Sequence, residues 1–276
     1  MKVCNIIPYF KDNLSSITHE KEIVSWAYIV IESILAYTKS DTIIYSDSYI
    51  SKTNTDKIIN IVKELRQNKP IQYILGEAYF FGLYFKVNRH TLIPRPETEE
   101  LVKWILQYNF QSVLDIGTGS GCIAISLAKN LSLNTFVLDN SKEALEIAKF
   151  NADKHQVPVY LLHQDILKIT ELPKVDVIVS NPPYVELNDY DSIKPNVINY
   201  EPHDAIFAPS YNSLIFYHKI ILLSKSALNQ NGLLFFEINE KYSSEISDML
   251  KKNHFVDITL KKDINDKFRM IKATKK

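Results

Sequence analysis

Residues 111–126, QSVLDIGTGSGCIAIS, join a short apolar strand to an apolar helix through a loop that contains three glycines. The strand QSVLDIG is apolar on both faces, which is typical of a strand covered by helices on two sides. The helix CIAISLAKN begins directly after the last glycine. A strand, loop and helix in this order predict a ligand site at the carboxyl end of a parallel sheet.

The same alternation continues to the end of the chain. Strands are predicted at 111–117, 134–139, 158–165, 175–180, 231–238, 255–263 and 267–276, and helices at 122–130, 141–155, 213–229 and 240–253. Apolar strands that alternate with amphipathic helices indicate a sheet with helices on both faces. We therefore predict an α/β fold with a doubly wound, mostly parallel, Rossmann-like sheet. The last two strands follow each other closely, which favours an antiparallel pair at one edge.

The first part of the chain differs in character. Residues 1–70 show apolar residues at helical spacing and no glycine, which predicts a small helical domain. Residues 71–95 are aromatic and punctuated by glycine, which predicts a β-hairpin linker. The third domain, 96–276, begins with Pro96 and acidic residues, both favourable at the start of a helix.

Composition excludes several classes of protein. The 276 residues carry 32 basic and 32 acidic side chains, so the whole surface is not built to bind phosphates. Two distant cysteines and unclustered histidines predict neither a disulfide framework nor a metal site. No apolar run is long enough for a membrane span, and the N-terminus does not read as a signal peptide, so we expect a cytoplasmic protein.

The glycine loop predicts a nucleotide-type ligand. Gly117, Gly119 and Gly121 let the backbone approach a ligand closely and direct amides at the start of the next helix. Cys122 stands where a dinucleotide fingerprint would have its third glycine. Asp139 ends the next strand, where a carboxylate reaches a ribose diol in doubly wound folds. The alternative is a tight turn with a capping aspartate.

Two further aspartates are open to either interpretation. Asp115 lies inside the first strand of the sheet, near the glycine loop, and could be a second polar anchor. Asp165 ends the third strand and is placed to meet the edge of a purine base. Each is as readily an ordinary cap or turn residue.

The stretch VIVSNPPYVE, residues 177–186, ends a buried strand with an amide, two prolines and an aromatic ring. Proline cannot donate to a sheet, so the strand stops at Asn181. Asn181 and Pro182 offer two carbonyl oxygens that suit a planar NH2 group, and Tyr184 offers an aromatic wall. The alternative is a rigid turn with a packing tyrosine. The functional interpretation is a clamp for an amide or an aromatic amine.

Such a nitrogen is a poor nucleophile, because its lone pair is delocalised. Acceptors that hold both hydrogens increase its electron density and fix its direction. The electrophile must then be strong and in line, as the methyl group of a sulfonium is. Positioning is the main catalytic resource in this scheme, and no strong base is required to start it.

The combination of DIGTGSG, Asp139 and Asn181-Pro182-Pro183-Tyr184 resembles the S-adenosylmethionine-dependent amino-methyltransferases. Upstream, residues 70–102, PIQYILGEAYFFGLYFKVNRHTLIPRPETEELV, closely resemble the linker and entry helix of one family, the peptide chain release factor glutamine N5-methyltransferases. The resemblance covers about residues 70–276. In the first 70 residues the match is limited to helical character.

The resemblance implies roles for particular residues. The methionine part of S-adenosyl-L-methionine would be lined by Gly117, Thr118, Gly119, Ser120 and Gly121. Asp139 would hold the ribose, and Asp165 and Ile166 would flank adenine. The clamp residues Asn181, Pro182 and Tyr184 would be catalytic, with Pro183, Arg95 and Glu97 also at the substrate. Asn181 would contact the cofactor as well as the substrate amide.

The resemblance also implies a substrate, the glutamine of the Gly-Gly-Gln loop in the factors that end translation. The partner would be a protein recognised by domain 1–70, with no nucleic acid and no membrane, and the enzyme would be a monomer. One alternative is N6-adenine or other nucleic-acid amino-methylation, which uses the same clamp on a flipped base. Another is a non-catalytic cofactor-binding module of translation. The segment 200–210, YEPHDAIFAPS, either shapes the substrate entrance or is a surface excursion.

Overall fold

The protein divides into two compact units. In this computed structural model, residues 1–209 and 212–276 are described. One unit contains Met1–Gly76 and Lys194–Tyr200, and the other contains Glu77–Ile193 and Glu201–Lys276. The chain therefore leaves the second unit after residue 193 and re-enters it at residue 201.

Helices and strands are numbered in chain order. The first part contains α1 (Ile6–Leu14), α2 (Glu20–Leu35), α3 (Lys39–Ile44), α4 (Lys52–Leu65), α5 (Ile71–Leu75), β1 (Glu77–Phe80), β2 (Leu83–Lys86) and α6 (Pro96–Ile105). The middle part contains β3 (Ser112–Ile116), α7 (Cys122–Asn130), β4 (Asn134–Asp139), α8 (Lys142–Lys154), β5 (Tyr160–His163) and β6 (Val175–Ser180). The last part contains α9 (Pro195–Tyr200), α10 (Ile215–Ala227), β7 (Leu228–Glu237), α11 (Ser243–Lys252), β8 (Phe255–Lys262) and β9 (Phe268–Lys275).

The first unit is helical, as the apolar spacing of residues 1–70 predicts. Ile6, Phe10 and Leu14 of α1 are fully buried, because residues four apart share one face of a helix. They pack in one core with α2 and α4. The short helix α9 belongs to the same unit, and the hydroxyl of Tyr200 donates to the carbonyl of Gln67 at 2.9 Å. None of the helices in the described ranges is long and apolar enough to cross a membrane.

The hairpin is shorter than the sequence predicts. β1 and β2 pair antiparallel, from Glu77 with Lys86 to Phe80 with Leu83. Residues 71–75 form helix α5, so the prediction of β structure there is wrong. Tertiary packing overrides the β propensity, since the apolar side chains of α5 join the helical core. Gly76, at φ +77°, then ends the helix.

Seven strands form the main sheet, in the order β5-β4-β3-β6-β7-β9-β8. The strands β3 to β7 are parallel, and β9 is antiparallel to both β7 and β8. Side chains alternate between two apolar cores, with Leu114 and Ile178 in one and Val113 and Val177 in the other. The predicted doubly wound α/β fold and the predicted antiparallel pair β8–β9 are confirmed.

The parallel register brings several strand ends to one edge of the sheet. Ile116 of β3 is level with Leu138 of β4 and with Ser180 of β6. Ser180 is level with Phe236 of β7. The turns that follow these four strands therefore start side by side.

The turn after β3 is held by hydrogen bonds to β4 and to β3 itself. The amides of Gly117 and Thr118 donate to the carbonyl of Leu138 at 2.8 and 3.1 Å. The hydroxyl of Thr118 donates to Oδ2 of Asp115 at 2.7 Å. The buried carboxyl of Asp115 thus fixes the start of the glycine loop.

The glycines of this loop have different surroundings, which gives a test of the fold. Gly117 has φ +72° and a Cβ added there would meet nothing within 4 Å. Gly121 has φ +80°, and its added Cβ would lie 2.8 Å from Ile125 Cδ1 and 3.3 Å from Ala148 Cβ. We expect Gly117→Ala to lower the free energy of unfolding by about 1 kcal/mol from backbone strain. Gly121→Ala should lower the free energy of unfolding by about 1–3 kcal/mol more than Gly117→Ala does, because its added methyl group overpacks the core.

The chain offers a clean probe for this measurement. It has two tryptophans, Trp26 in the helical unit and Trp104 in the sheet unit. In a Trp26→Phe background, urea unfolding followed by Trp104 fluorescence reports on the sheet unit alone. Equal losses for the two alanine variants would contradict the packing of Gly121.

Burial of Asp115 predicts a pH dependence of stability. Desolvation raises the pKa of Asp115 from 3.8 to about 7. The folded state therefore holds this proton at pH values where the unfolded state has lost it, so stability falls as the pH rises from about 4 to about 7. A shift of this size amounts to roughly 4 kcal/mol across that range. Asp115→Asn cannot titrate, so this part of the pH dependence should disappear.

The two proteins are compared by how their free energy of unfolding changes with pH, because asparagine also changes the stability at any one pH. Unfolding of wild type and Asp115→Asn is measured at pH 5 and pH 8 with the Trp104 signal. Between pH 5 and pH 8, wild type should lose more of its free energy of unfolding than Asp115→Asn does. An identical pH dependence in both would show that Asp115 is ionised throughout.

Candidate active site

A cavity of about 410 Å³ opens at the carboxyl edge of the parallel strands. The turns after β3 to β6 supply part of its lining, namely Gly117 to Ser120, Asp139 to Ser141, Gln164 to Ile166, and Ser180 to Pro183. Further lining comes from the segment before and within α6, from the first turns of α7 and α8, from residues 202, 204 and 205, and from α10. A cavity at this edge, beside the point where the strand order reverses, is where open α/β sheets bind ligands.

The glycine loop presents bare backbone to the cavity. Gly117, Thr118, Gly119 and Ser120 line it, and a Cβ added at Gly117 or Gly119 would meet no atom within 4 Å. A ligand can therefore approach the main chain closely at these two positions. Gly121 does not line the cavity, because it packs against α7 and α8.

Asp139 lies at the end of β4, and its side chain is fixed by the loop. Its Oδ2 accepts from the amide of Gly119 at 2.9 Å, and its Oδ1 accepts from the amide of Ser141 at 3.0 Å. The residue is 8% exposed, and burial raises the pKa of its carboxyl, while these amides oppose the shift. Each oxygen keeps a second lone pair for a hydroxyl of a ligand.

Asp165 and Ile166 line the cavity beyond Asp139. Oδ1 of Asp165 accepts from the amide of Leu167 at 3.0 Å, and Oδ2 pairs with Lys168 at 3.0 Å. Asp165 is thus a turn residue as well as part of the cavity wall. Ile166 is buried and continuous with the apolar core, so this end of the cavity has a flat apolar wall.

The clamp residues lie on the other side of the glycine loop. Asn181, Pro182 and Pro183 line the cavity directly after β6. Tyr184 does not line it, because its ring packs against the apolar core. Its hydroxyl donates to Oε1 of Glu237 at 3.5 Å, and burial raises the pKa of Tyr184.

Glu237, at the end of β7, is a residue that sequence reasoning missed. It is 2% exposed, and its Oε2 accepts from the hydroxyl of Thr98 at 2.7 Å. Burial raises the pKa of Glu237, and hydrogen bonds from Thr98 and from the side-chain amide of Asn181 oppose that shift. The sequence signal for this residue was a single acidic residue at the end of the apolar strand LLFFE. In the sheet, it is level with the residue that follows VDVIVS.

The segment before α6 is tied to residue 201. Arg95 lines the cavity and donates to Oε1 of Glu201 at 2.6 Å, while the amide of Ile93 donates to Oε2 at 3.0 Å. The side chain of Glu201 is 1% exposed, so this ion pair is a fixed brace. Glu97 does not line the cavity, because it points to Asn265, whose Nδ2 donates to it at 3.3 Å.

The segment 200–210 contributes to the cavity, since residues 202, 204 and 205 line it. Residue 210, the last of this segment, lies outside the described residues. The first residue, Tyr200, belongs to the helical unit. The interpretation as a loop that borders the site is thus supported for its middle part.

The site fits a nucleoside with a charged tail. A carboxylate at the end of β4, an apolar wall at Ile166 and bare backbone at the glycine loop are the groups that such a ligand requires. Within residues 1–209 and 212–276, no three His, Cys, Asp or Glu side chains are grouped so that they could hold a metal ion.

Known proteins share this fold. The family model described as the methyltransferase small domain matches residues 96–200. A solved methyltransferase from Pyrococcus furiosus has a TM-score of 0.56 and 20% identity, over 78% of this chain and 98% of that chain, which shows the shared fold.

Two curated relatives are similar over nearly their whole length. The release factor glutamine methyltransferase of Flavobacterium psychrophilum is 44% identical, over 99% of this chain and 99% of that protein. The release factor glutamine methyltransferase of Bacteroides thetaiotaomicron is 37% identical, over 98% and 99%. The chain therefore belongs to the family of release factor glutamine methyltransferases, which confirms the resemblance seen in its sequence.

Proposed function

We propose that this enzyme transfers a methyl group from S-adenosyl-L-methionine to the side-chain amide nitrogen, N5, of the glutamine in the Gly-Gly-Gln loop of peptide chain release factors. Membership of the family supports this activity. The observation that carries it is the position of Asn181 and Pro182, which line the same cavity as the glycine loop and Asp139. An amide clamp thus adjoins a nucleoside site.

The residues of the cavity fit the cofactor. Asp139 has free lone pairs for the two ribose hydroxyls, and charge-assisted bonds of this kind contribute about 1.5–3 kcal/mol each. Asp165 and Ile166 lie where the adenine would be flanked. The backbone from Gly117 to Ser120 borders the space for the methionine part, and Gly121 supports this loop from behind. When bound, S-adenosylmethionine supplies an electrophilic methyl group on a sulfonium.

The clamp orients the substrate amide. Oδ1 of Asn181 and the main-chain carbonyl of Pro182 would accept the two hydrogens of the glutamine NH2 group. Both acceptors are fixed before the substrate arrives, so little reorganisation is needed during the reaction. Pro182 and Pro183 stiffen the turn that holds them.

Tyr184 would act from behind this turn rather than as a wall of the cavity. Its ring packs in the core and its hydroxyl contacts Glu237, which fixes the turn after β6. Arg95 borders the entrance and is braced by Glu201. Glu97 does not line the cavity, so we propose no contact between Glu97 and the substrate.

The amide nitrogen can lose its extra proton after the methyl group has been transferred. The clamp therefore needs no strong base beside Asn181, and positioning is the main catalytic resource. We also propose that the enzyme is a monomer that acts in the cytoplasm and that its partner is a protein, the release factor.

The proposal is tested by methyl transfer to a release factor. Purified enzyme is incubated with methyl-labelled S-adenosylmethionine and a release factor, and the product is analysed by peptide mass spectrometry. We expect one added methyl group on the glutamine of the Gly-Gly-Gln peptide. Asn181→Ala should lower kcat by about 10²–10³-fold while the fold is retained, because one preorganised acceptor is lost.

Two controls decide between the functions. A release factor in which this glutamine is replaced should accept no label, and total nucleic acid should remain unlabelled. Label in nucleic acid would instead favour a nucleobase methyltransferase, and no label in either would favour a non-catalytic module. Full activity of Asn181→Ala would reject the clamp.

A second prediction concerns cofactor affinity. Asp139→Ala should weaken binding of S-adenosylmethionine by roughly 10–100-fold, which corresponds to the loss of one or two charge-assisted hydrogen bonds. Isothermal titration calorimetry measures this dissociation constant without any substrate. The matched control is Asp176→Ala, since Asp176 also accepts from backbone amides, of Gln111 and Ser112, but at the opposite edge of the sheet. Equal affinity in the two variants would reject the role of Asp139.

A further inference from the structure

Two side chains stand next to each other at the ends of β6 and β7. Ser180 and Phe236 are level in the parallel pairing of these strands, so the residues that follow them, Asn181 and Glu237, are neighbours. Asn181 lines the cavity, whereas Glu237 does not. Glu237 is 2% exposed and can therefore act on the reaction only through another residue.

The carboxylate of Glu237 is surrounded by donors. Its Oε2 accepts from the Thr98 hydroxyl at 2.7 Å, and its Oε1 is 3.5 Å from the Tyr184 hydroxyl. Asn181 lies beside it through the register of β6 and β7, and its side-chain amide opposes the rise that burial causes in the pKa of Glu237. The guanidinium of Arg269 supplies a neighbouring positive charge. Burial raises the pKa of this carboxyl, but both of its oxygens already accept hydrogen bonds from hydroxyl groups.

Because the hydroxyls of Thr98 and Tyr184 each donate to one of its oxygens, the carboxyl of Glu237 acts as an acceptor toward its neighbours. The atom of Asn181 that faces Glu237 must therefore be Nδ2, and Oδ1 then faces the other way. Without such a partner, the two orientations of an asparagine amide differ little in energy. In the inverted orientation, Asn181 would present NH2 to a substrate NH2, and the two donors would repel each other.

We propose that Glu237 is the positioning residue that sets the orientation of the Asn181 amide, so that Oδ1 is the acceptor offered to the substrate. This inference rests on the proposed function for its consequence in catalysis. The orientation of the Asn181 amide in the absence of ligands is a property of the protein alone. Through Thr98 and Tyr184, the same carboxylate joins the start of α6 to the turn after β6.

The test replaces the carboxylate with an amide of the same size. In Glu237→Gln, an NH2 group can occupy the position of one carboxylate oxygen. Residue 237 can then donate as well as accept, so it no longer favours one orientation of the Asn181 amide. We expect kcat for methyl transfer to fall about 10²-fold, as misplacement of a reacting group does. The KM for the release factor and the dissociation constant of S-adenosylmethionine should stay within twofold of wild type, because Glu237 touches neither ligand.

The matched control is Asp176→Asn. It is also a carboxylate-to-amide change at a residue that accepts from backbone amides, but it lies at the amino end of β6. We expect this variant to lose thermal stability and to keep the kcat of wild type. A purely structural role of Glu237 would make the two variants alike.

A second readout does not depend on the substrate. The side-chain NH2 of Asn181 is observed by 15N NMR and assigned by its disappearance in Asn181→Ala. In wild type, one of its protons should be shifted downfield and exchange slowly, and both features should be lost in Glu237→Gln. If the enzyme methylates no release factor, the proposed function fails, but this measurement still decides the orientation of Asn181.

A further variant covers the case in which Glu237→Gln does not fold. Glu237→Asp keeps the negative charge beside Arg269 and withdraws it by one methylene group from Asn181. We expect the NMR signature to be lost and kcat to fall in this variant too. Wild-type kcat in a folded Glu237→Gln or Glu237→Asp protein, or an unchanged Asn181 signal, would overturn the inference.

Discussion

The parallel register of β3, β4, β6 and β7 is the constraint on which the site depends. Ile116, Leu138 and Ser180 are level, so the residues that follow them leave the sheet at the same height. Polar groups can then be concentrated in a few ångströms while the strands below them remain apolar. A shift of one residue in any of these pairings would turn the strand's side chains to the opposite face. The two apolar cores on either side of the sheet oppose such a shift, and they thereby hold the glycine loop beside the clamp.

Burying several polar groups at one edge of the sheet has a desolvation cost. Hydrogen bonds from nearby donors offset this cost. Asp115 accepts from Thr118, Asp139 accepts from backbone amides, and Glu237 accepts from Thr98. Because burial raises the pKa of all three carboxyls, each bond stabilises a charge or a lone pair that water cannot reach. The same bonds fix the turns, so the edge is preorganised before a ligand binds. Stability and function therefore use the same contacts here.

The sequence was sufficient for the fold and for the family, and the reasons are local. Apolar strands with amphipathic helices between them fix the layer architecture, and DIGTGSG with Asn181-Pro182-Pro183-Tyr184 identifies the chemistry. The sequence failed where tertiary contacts decide. Residues 71–75 have β propensity but become helix α5 because the helical core buries them. Nothing in 194–200 indicates that it belongs with the first helices. Glu237 and Glu201 were missed because their partners are more than 50 residues away, and only the register and the return of the chain bring them together.

The clamp illustrates how such a distant partner completes a motif. A local reading of Asn-Pro-Pro-Tyr gives two carbonyl acceptors only if the asparagine amide has one of its two orientations. Four residues in sequence cannot impose that choice, since neither proline offers a side-chain acceptor and the tyrosine packs in the core. The choice requires an acceptor on the adjacent strand, level with the residue after β6. In this chain the acceptor is Glu237. Thr98, which lies in the stretch PRPETE and in the first turn of α6, donates to the same carboxylate. On this view, the segment before the glycine loop and the last parallel strand belong to the clamp as much as the tetrapeptide does.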